Sequence, residues 1–176
     1  MTNIRPFTSS DLFQFNNINL DPYTETYGNF FYMMYLTKWP ELCLVAEGPD
    51  GRIQGYILGK VEGTGDNWHG HVTALTVAPE YRRLGIARKL MQSLEEYSEK
   101  QDCHFVDLFV RVSNKVAIKM YENFGYIVYR RVLSYYSGTP TEAEEDAFDM
   151  RKALPADKEK KSLIAPKDPI RPEELE

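Results

Sequence analysis

The run Val77-Ala78-Pro79-Glu80-Tyr81-Arg82-Arg83-Leu84-Gly85-Ile86-Ala87 places two arginines, a glycine and an alanine where an apolar segment hands over to a long amphipathic one. A basic, small-residue turn feeding a helix N-terminus is a place to hold phosphate. The helix dipole and unpaired backbone N–H groups attract anions, and small side chains let them come close. In Arg82-x-x-Gly85-x-Ala87, Gly85 can take positive φ and Ala87 keeps the helix start uncluttered. The N–H groups from Arg83 to Ala87 are then able to wrap a pyrophosphate, with Arg82 and Arg83 adding charge at the rim. One strand later comes Asn114-x-x-Ala117-x-x-x-Tyr121, with Asn114 at a helix start and Tyr121 two turns in. A phenol there can give a hydrogen bond or a proton to a leaving group. Equally, its ring can pack in the core beside Phe124 and Tyr126. His71 and Thr73 lie two apart on one strand and share a face, with His69 nearer the strand end. His71 is either a satisfied sheet histidine or a hydrogen-bonding group for a carboxylate or an amide.

The elements that must position these residues follow from periodicity and turn chemistry. Asn3 to Phe7 forms a first strand, and Thr8-Ser9-Ser10-Asp11 starts a helix whose apolar face is Leu12, Phe13, Phe15 and Ile18. Asp21-Pro22 breaks it. A second helix runs from Asn29 to Trp39 and stops at Pro40. Phe30, Phe31, Tyr32, Met33, Met34, Tyr35, Leu36 and Trp39 leave it almost no polar face, so it either buries both sides within the domain or docks part of itself on a partner. Strands follow at 43–47, 53–61 and 68–77, then a helix from Ile86 to about Lys100 and a buried strand from His104 to Val110. A helix from Lys115 to Phe124, closed by Gly125, precedes a long strand from Tyr126 to Tyr136, an acidic loop from Ser137 to Asp146 and a short strand from Ala147 to Lys152. After Leu154, Pro155, Pro166, Pro169 and Pro172 are mixed with charges, which gives an extended or disordered tail over 155–176 and a single domain over 1–154. The order β-α-α-β-β-β-α-β-α-β-β is that of a mixed α/β layer fold with helices on both faces of the sheet.

At 176 residues and 43% hydrophobic content the chain has the size and composition of one globular domain with a proper core. No apolar run is long enough to span a bilayer, and Met1 to Pro6 lacks the apolar segment of a signal peptide. The net charge of -5 argues against nucleic acid as a direct partner. The two cysteines, Cys43 and Cys103, suit reduced thiols in the cytoplasm. The P-loop pattern and the three-glycine dinucleotide fingerprint are absent, and no His/Cys/Asp/Glu spacing suggests a metal site.

The set formed by the apolar strand, the arginine–glycine turn, the following helix and the Asn114–Tyr121 segment resembles the GNAT superfamily over nearly the whole of residues 3–154. That resemblance implies transfer of an acetyl group from acetyl-CoA to an amine. It also implies a mixed, mostly antiparallel sheet of about seven strands whose two central strands splay apart around the pantetheine arm. Several segments are similar, within that superfamily, to the catalytic subunits of its NatB-type N-terminal acetyltransferases: Leu20 to Gly28, Trp68 to Leu75, Val110 to Asn114, Tyr135-Tyr136-Ser137 and Arg171-Pro172-Glu173. The resemblance implies acetylation of nascent chains beginning Met-Asp, Met-Glu, Met-Asn or Met-Gln. It further implies a large helical-repeat auxiliary subunit that tethers the enzyme to ribosomes.

Carried onto this chain, the resemblance puts acetyl-CoA against Leu75, Val77, Arg82, Arg83, Gly85, Ile86, Ala87 and Asn114. Tyr121 becomes the acid for the departing sulfur. The peptide meets Glu25, Tyr27, His71, Thr73, Ala74, Tyr135 and Tyr136, where aromatics wall a pocket for the first Met side chain. A backbone N–H near Leu75 or Thr76 on the splayed strand is the natural donor to the developing oxyanion. A peptide α-amine has a pKa near 8, so roughly a fifth is neutral at about pH 7.4, against about one in a thousand for lysine. An α-amine therefore asks little of a general base, and an ordered water or Glu25 suffices. Two other readings remain open at this stage: the same fold acting on lysine side chains or small amines, and a GNAT-fold binding subunit without turnover.

Overall fold

The computed structural model describes residues 1–15, 17–20, 23–138 and 143–175. A seven-stranded sheet runs in the order β1-β2-β3-β4-β5-β7-β6. Its strands are β1 (Asn3–Pro6), β2 (Cys43–Glu47), β3 (Ile53–Glu62), β4 (His69–Val77), β5 (Phe105–Arg111), β6 (Ile127–Tyr136) and β7 (Glu145–Ala153). The helices are α1 (Asn29–Lys38), α2 (Ile86–Lys100) and α3 (Lys115–Asn123). All neighbouring strands pair antiparallel except β4 and β5, which are parallel. A parallel pair needs a crossover, and α2 supplies it.

Alternation along the strands feeds two cores. Cys43, Val45, Tyr56 and Leu58 pack with Tyr32 and Tyr35 of α1, while Leu42, Ala46, Ile57 and Val72 pack with Leu90, Met91 and Leu94 of α2 and Ile118 of α3. Helices thus cover both faces, as the sequence pattern requires. Ile86, Leu90, Leu94 and Ser98 recur every four residues on the buried side of α2. That helix lies so close to β4 that a Cβ on Gly70 would fall 2.2 Å from Ser98 Oγ, so glycine is needed there. Among the described residues no helix is long and apolar enough to cross a membrane.

Three local expectations change. The first helix is only a 3-10 turn, Ser9–Phe13. Asp11 is drawn inward to accept from Arg5 and from the Thr8 N–H and hydroxyl. The following asparagines favour turns, and Asn19 instead accepts the Tyr56 hydroxyl at 2.8 Å. Phe15 and Ile18 still reach the core, but Phe13 is exposed. The expected break at Asp21-Pro22 lies outside the described residues. The last strand is longer than its apolar run, because its leading carboxylates are neutralised across the sheet. Glu145 accepts from Arg111 and the Ser113 N–H, and Asp146 from Arg131 and the Ser134 N–H. Beyond Leu154 the chain forms only short turns, yet it is anchored. Asp157 accepts from the N–H groups of Lys161 and Ser162, and Ile170 pairs with the outer edge of β6, donating to Arg131 and accepting from Leu133. This covers an otherwise open sheet edge.

On α1, Tyr32 and Tyr35 are buried, whereas Phe30 is 84% and Met33 43% exposed. One side of this helix therefore packs within the domain and the other remains apolar and open.

Candidate active site

Beyond β4, the short turn Pro79–Tyr81 leads into Arg82, whose Nε–H donates to the Val77 carbonyl at 3.1 Å and braces the bend. Arg83 takes φ 63° and Gly85 φ 79°. Left-handed residues in so short a loop are the backbone from which an anion nest can be built. Gly85 is the N-cap of α2 and no side chain caps the helix. The first intrahelical bond is from the Lys89 N–H to the Gly85 carbonyl, which leaves the N–H groups of Ile86, Ala87 and Arg88 pointing out of the helix end. Ile86 is buried and anchors the first turn, while Arg82 and Arg83 are exposed at its rim. The positive φ expected of Gly85 and the helix start expected at Ile86 are both found.

The turn opens onto a gap in the sheet. β4 and β5 pair only from His69 with Phe105 to Val72 with Leu108. Past that point β4 continues with β3, and β5 with β7. The facing edges, 73–77 and 109–111, are unpaired with each other, so backbone groups of β4 face the gap instead of a neighbouring strand. A bulge sits at the same place: Leu58 pairs with Ala74 and Gly59 with Val72, so Thr73 is the extra residue. Thr73 Oγ1 lies 2.8 Å from the Tyr35 hydroxyl and Ala74 packs in the α1-side core, while Leu75 and Val77 pack toward α2. Tyr121 comes from α3, whose N-cap Asn114 accepts the Ala117 N–H at 3.1 Å. The structural role of Asn114 as a cap is therefore realised. Tyr121 is 8% exposed and meets Phe124 and Tyr126 edge-on at 6.4 and 6.0 Å. Its hydroxyl makes no hydrogen bond among the described residues. Burial raises its pKa, so the phenol stays protonated and available as a donor.

The α1 side of the gap is a ring of aromatics joined by polar contacts. His71 Nδ1 donates to Asp107 Oδ1 at 2.7 Å, and its ring lies 5.6 Å from Phe109. Phe109 stacks on Tyr135 at 4.7 Å, and Tyr135 meets Tyr136 edge-on at 5.1 Å. The Tyr136 hydroxyl donates to the Phe109 carbonyl at 3.3 Å, and the Arg111 guanidinium sits 4.0 Å over its ring. Arg111 also donates to Glu25 at 2.9 Å and to Glu145 at 3.2 Å. Tyr27 stacks on Phe31 at 4.1 Å, and Phe31 lies 4.7 Å from Tyr35, the partner of Thr73. Glu25, His71, Tyr135 and Tyr136 thus lie along one chain of contacts, and Tyr27 and Thr73 along a second that passes through Phe31 and Tyr35. Burial pushes the Tyr135 pKa up to about 12 and raises those of Tyr27 and Tyr136, so these rings are neutral walls. Tyr135 and Tyr136 both continue β6 to its end.

Sequence reasoning passed over Asp107, Phe109, Arg111 and Tyr35. Asp107 had a signal, being the lone carboxylate in the apolar run Phe105 to Val110. Arg111 had none, because its partners lie 86 and 34 residues away. No group of three or more metal-ligating side chains occurs among the described residues.

A model of the "Acetyltransferase (GNAT) family" matches residues 11–126. The chain is 61% identical to the "N-terminal acetyltransferase B complex catalytic subunit NAA20" of Arabidopsis thaliana, over 100% of this chain and 99% of the relative. It is 43% identical to the corresponding subunit NAT3 of Saccharomyces cerevisiae, over 90% of each. Its fold matches that of Chaetomium thermophilum Naa20 in complex with a bisubstrate analogue, with TM-score 0.91 and 44% identity over 97% of both chains. A chain of the NatB acetyltransferase complex bound to a bisubstrate inhibitor matches with TM-score 0.86 and 40% identity over 99% of both. The chain belongs to the GNAT acetyltransferase family, as the capless α2 and the splayed β4–β5 pair define structurally. Within that family it groups with the NatB catalytic subunits and is an acetyl-CoA-dependent N-terminal acetyltransferase.

Proposed function

We propose that this chain acetylates the α-amino group of polypeptides beginning Met-Asp, Met-Glu, Met-Asn or Met-Gln, as the catalytic member of a complex with a larger auxiliary subunit. The observation that carries the reading is the stretch of β4 over 73–77 that is not paired with β5, lying in the chain between His71 and the turn that leads to Gly85 at the uncapped start of α2. Acetyl-CoA, when bound, supplies the activated acetyl thioester. The N–H groups from Arg83 to Arg88 hold its diphosphate, and the β4 edge at Leu75 to Val77 holds its arm. Tyr27, Phe31 and Tyr135 wall the first Met side chain, and His71 meets the second residue. A β4 N–H at Leu75 or Thr76 stabilises negative charge developing on the acetyl oxygen. The Tyr121 phenol donates to the sulfur as the carbon–sulfur bond breaks. The amine's proton leaves to water or to Glu25, whose carboxylate is 46% exposed and steadied by Arg111.

The open apolar side of α1 supports the auxiliary partner. Phe30 and Met33 lie one turn apart there, and exposed Phe13 sits in the 3-10 turn that α1 packs against. Reduced buried thiols at Cys43 and Cys103 are consistent with action in the cytoplasm, on ribosomes reached through that partner. Residues 1–154 form the catalytic unit in this reading, followed by a tail whose Ile170 bridges the edge of β6.

The test is a panel of short peptides assayed with the assembled enzyme and acetyl-CoA. Met-Asp, Met-Glu, Met-Asn and Met-Gln termini are acetylated, and internal lysines and polyamines are not. Turnover of free lysine or polyamine in preference to Met-Asp peptides refutes the proposal.

A further inference from the structure

One buried ionised group near the peptide opening has no part in the chemistry above. Asp107, at the centre of β5, is 5% exposed in an otherwise apolar strand. Its Oδ1 accepts from His71 Nδ1 at 2.7 Å, and its Oδ2 lies 3.6 Å from His69 Nε2, too far for a hydrogen bond. His69 is committed elsewhere, donating through Nδ1 to the Asn67 carbonyl at 2.6 Å and stacking on Phe105 at 4.6 Å. With Nδ1 donating to a carboxylate, the only ring nitrogen of His71 left for a ligand is Nε2.

We propose that Asp107 is a positioning residue that lets one pocket read both acidic and amide second residues. It fixes the His71 ring with Nε2 toward the peptide, and its negative charge supports a second proton on that ring when the peptide side chain is a carboxylate. Neutral His71 accepts through Nε2 from the amide N–H of Asn or Gln. Doubly protonated His71 donates through Nε2 to the carboxylate of Asp or Glu, and the extra proton comes from solvent. Burial alone would raise the Asp107 pKa, but His71, His69 and Arg151 together hold it below the usual carboxylate range, so its charge is present for this role.

The surrounding charges leave Asp107 as the counter-ion of His71. On β3, Lys60 is the cross-strand partner of His71 and is paired with Glu62, which also lies 3.9 Å from His69. On β7, Arg151 is bonded to Asp149, which also accepts from Arg130 of β6. From α1 and β6 the facing groups are Tyr35 and Tyr135, both neutral because burial raises their pKa values.

The inference rests on the proposed peptide specificity, and its test is a ratio that separates the two. On the assembled enzyme, kcat/KM is measured for a Met-Asp and a Met-Asn peptide from about pH 6 to about pH 9, spanning the range where histidine titrates. The ratio of the two values cancels the titration of the α-amine. In the wild type it falls as pH rises, approaching a tenfold loss per pH unit, because only the acidic peptide needs the second proton. Asp107→Asn keeps a carbonyl acceptor for Nδ1 but removes the charge. It lowers the ratio at least about tenfold at neutral pH, mainly through KM, while Met-Asn turnover stays within about threefold. His71→Gln, which cannot ionise, makes the ratio independent of pH and decides the matter if Asp107→Asn fails to fold. A wild-type ratio flat with pH, or equal losses for both peptides in a folded Asp107→Asn, overturns the inference. Absence of activity on every Met-starting peptide would instead refute the specificity on which it rests.

Discussion

Replacing Arg111 with glutamine removes a side chain that joins the Glu25 loop, β6 and β7 beside the proposed peptide site. Its three contacts differ in weight. The bond to Glu25 is short at 2.9 Å, but that carboxylate is 46% exposed, so solvent screening leaves about 0.5 kcal/mol. Glu145 is three-quarters covered and also holds the Ser113 N–H, so this bond contributes about 1 kcal/mol. The guanidinium 4.0 Å over the Tyr136 ring adds about 0.5–1 kcal/mol. The sum, about 2 kcal/mol, corresponds to roughly a thirtyfold change in an equilibrium. If it is spent on holding the opening in its binding shape, the peptide KM of Arg111→Gln rises between about tenfold and thirtyfold. The same loss lowers Tm by about 4–8 °C for a chain of this size. Affinity for acetyl-CoA changes less than about twofold, because the nest at Gly85 shares no contact with Arg111. Initial rates at varied peptide, calorimetric titration with CoA and a thermal melt measure all three. Arg111→Lys, which keeps the charge without the planar fork, falls between the two. A peptide KM at the wild-type value, or a CoA affinity that weakens in step with it, refutes the assignment of Arg111 to the peptide side alone.

Tyr121→Phe keeps the ring contacts with Phe124 and Tyr126 and removes only the hydroxyl. It lowers kcat about a hundredfold with CoA affinity and Tm nearly unchanged, and a wild-type kcat in steady-state assay would remove the proposed acid. Gly85→Ala forces an L side chain to φ 79° although open space surrounds it. It costs about 1 kcal/mol of stability, seen in denaturant melts, and weakens CoA binding more than peptide binding. Asp11 is buried, which favours its neutral form, but Arg5 and Thr8 hold its pKa below the usual carboxylate range. Its stabilising contribution is complete above about pH 4 and is lost as pH falls through the lower folded value, so Asp11→Asn flattens the acid limb of an unfolding titration. Asp149, whose pKa burial raises, acts in the opposite sense and offsets part of that loss in the wild type.

Local patterns were enough to place most elements. The amphipathic run with Leu90, Met91 and Leu94 on one face marked α2, and Gly125 marked the end of α3, where it takes φ 95°. The same logic overreached at residues 9–18. There the helix expected from the apolar spacing shrinks to a 3-10 turn at Ser9–Phe13, where Asp11 is held by Arg5 of the neighbouring strand. It also fell short at Glu145 and Asp146, which look like loop carboxylates until arginines from β5 and β6 are placed opposite them.

The sequence by itself determined the turn proposed to hold the cofactor. An anion nest is made of consecutive backbone groups, so a turn, a glycine and a helix start, all within 82–88, are sufficient to define it. The fold alone decided the half proposed for the peptide. Glu25, His71, Asp107, Arg111 and Tyr135 come from three strands and a loop, and their contacts exist only once β4 has been laid beside β5 and β6 beyond β7. A pocket for a side chain is a matter of distances between segments remote in the chain, and those distances are set by sheet order and packing rather than by any local pattern.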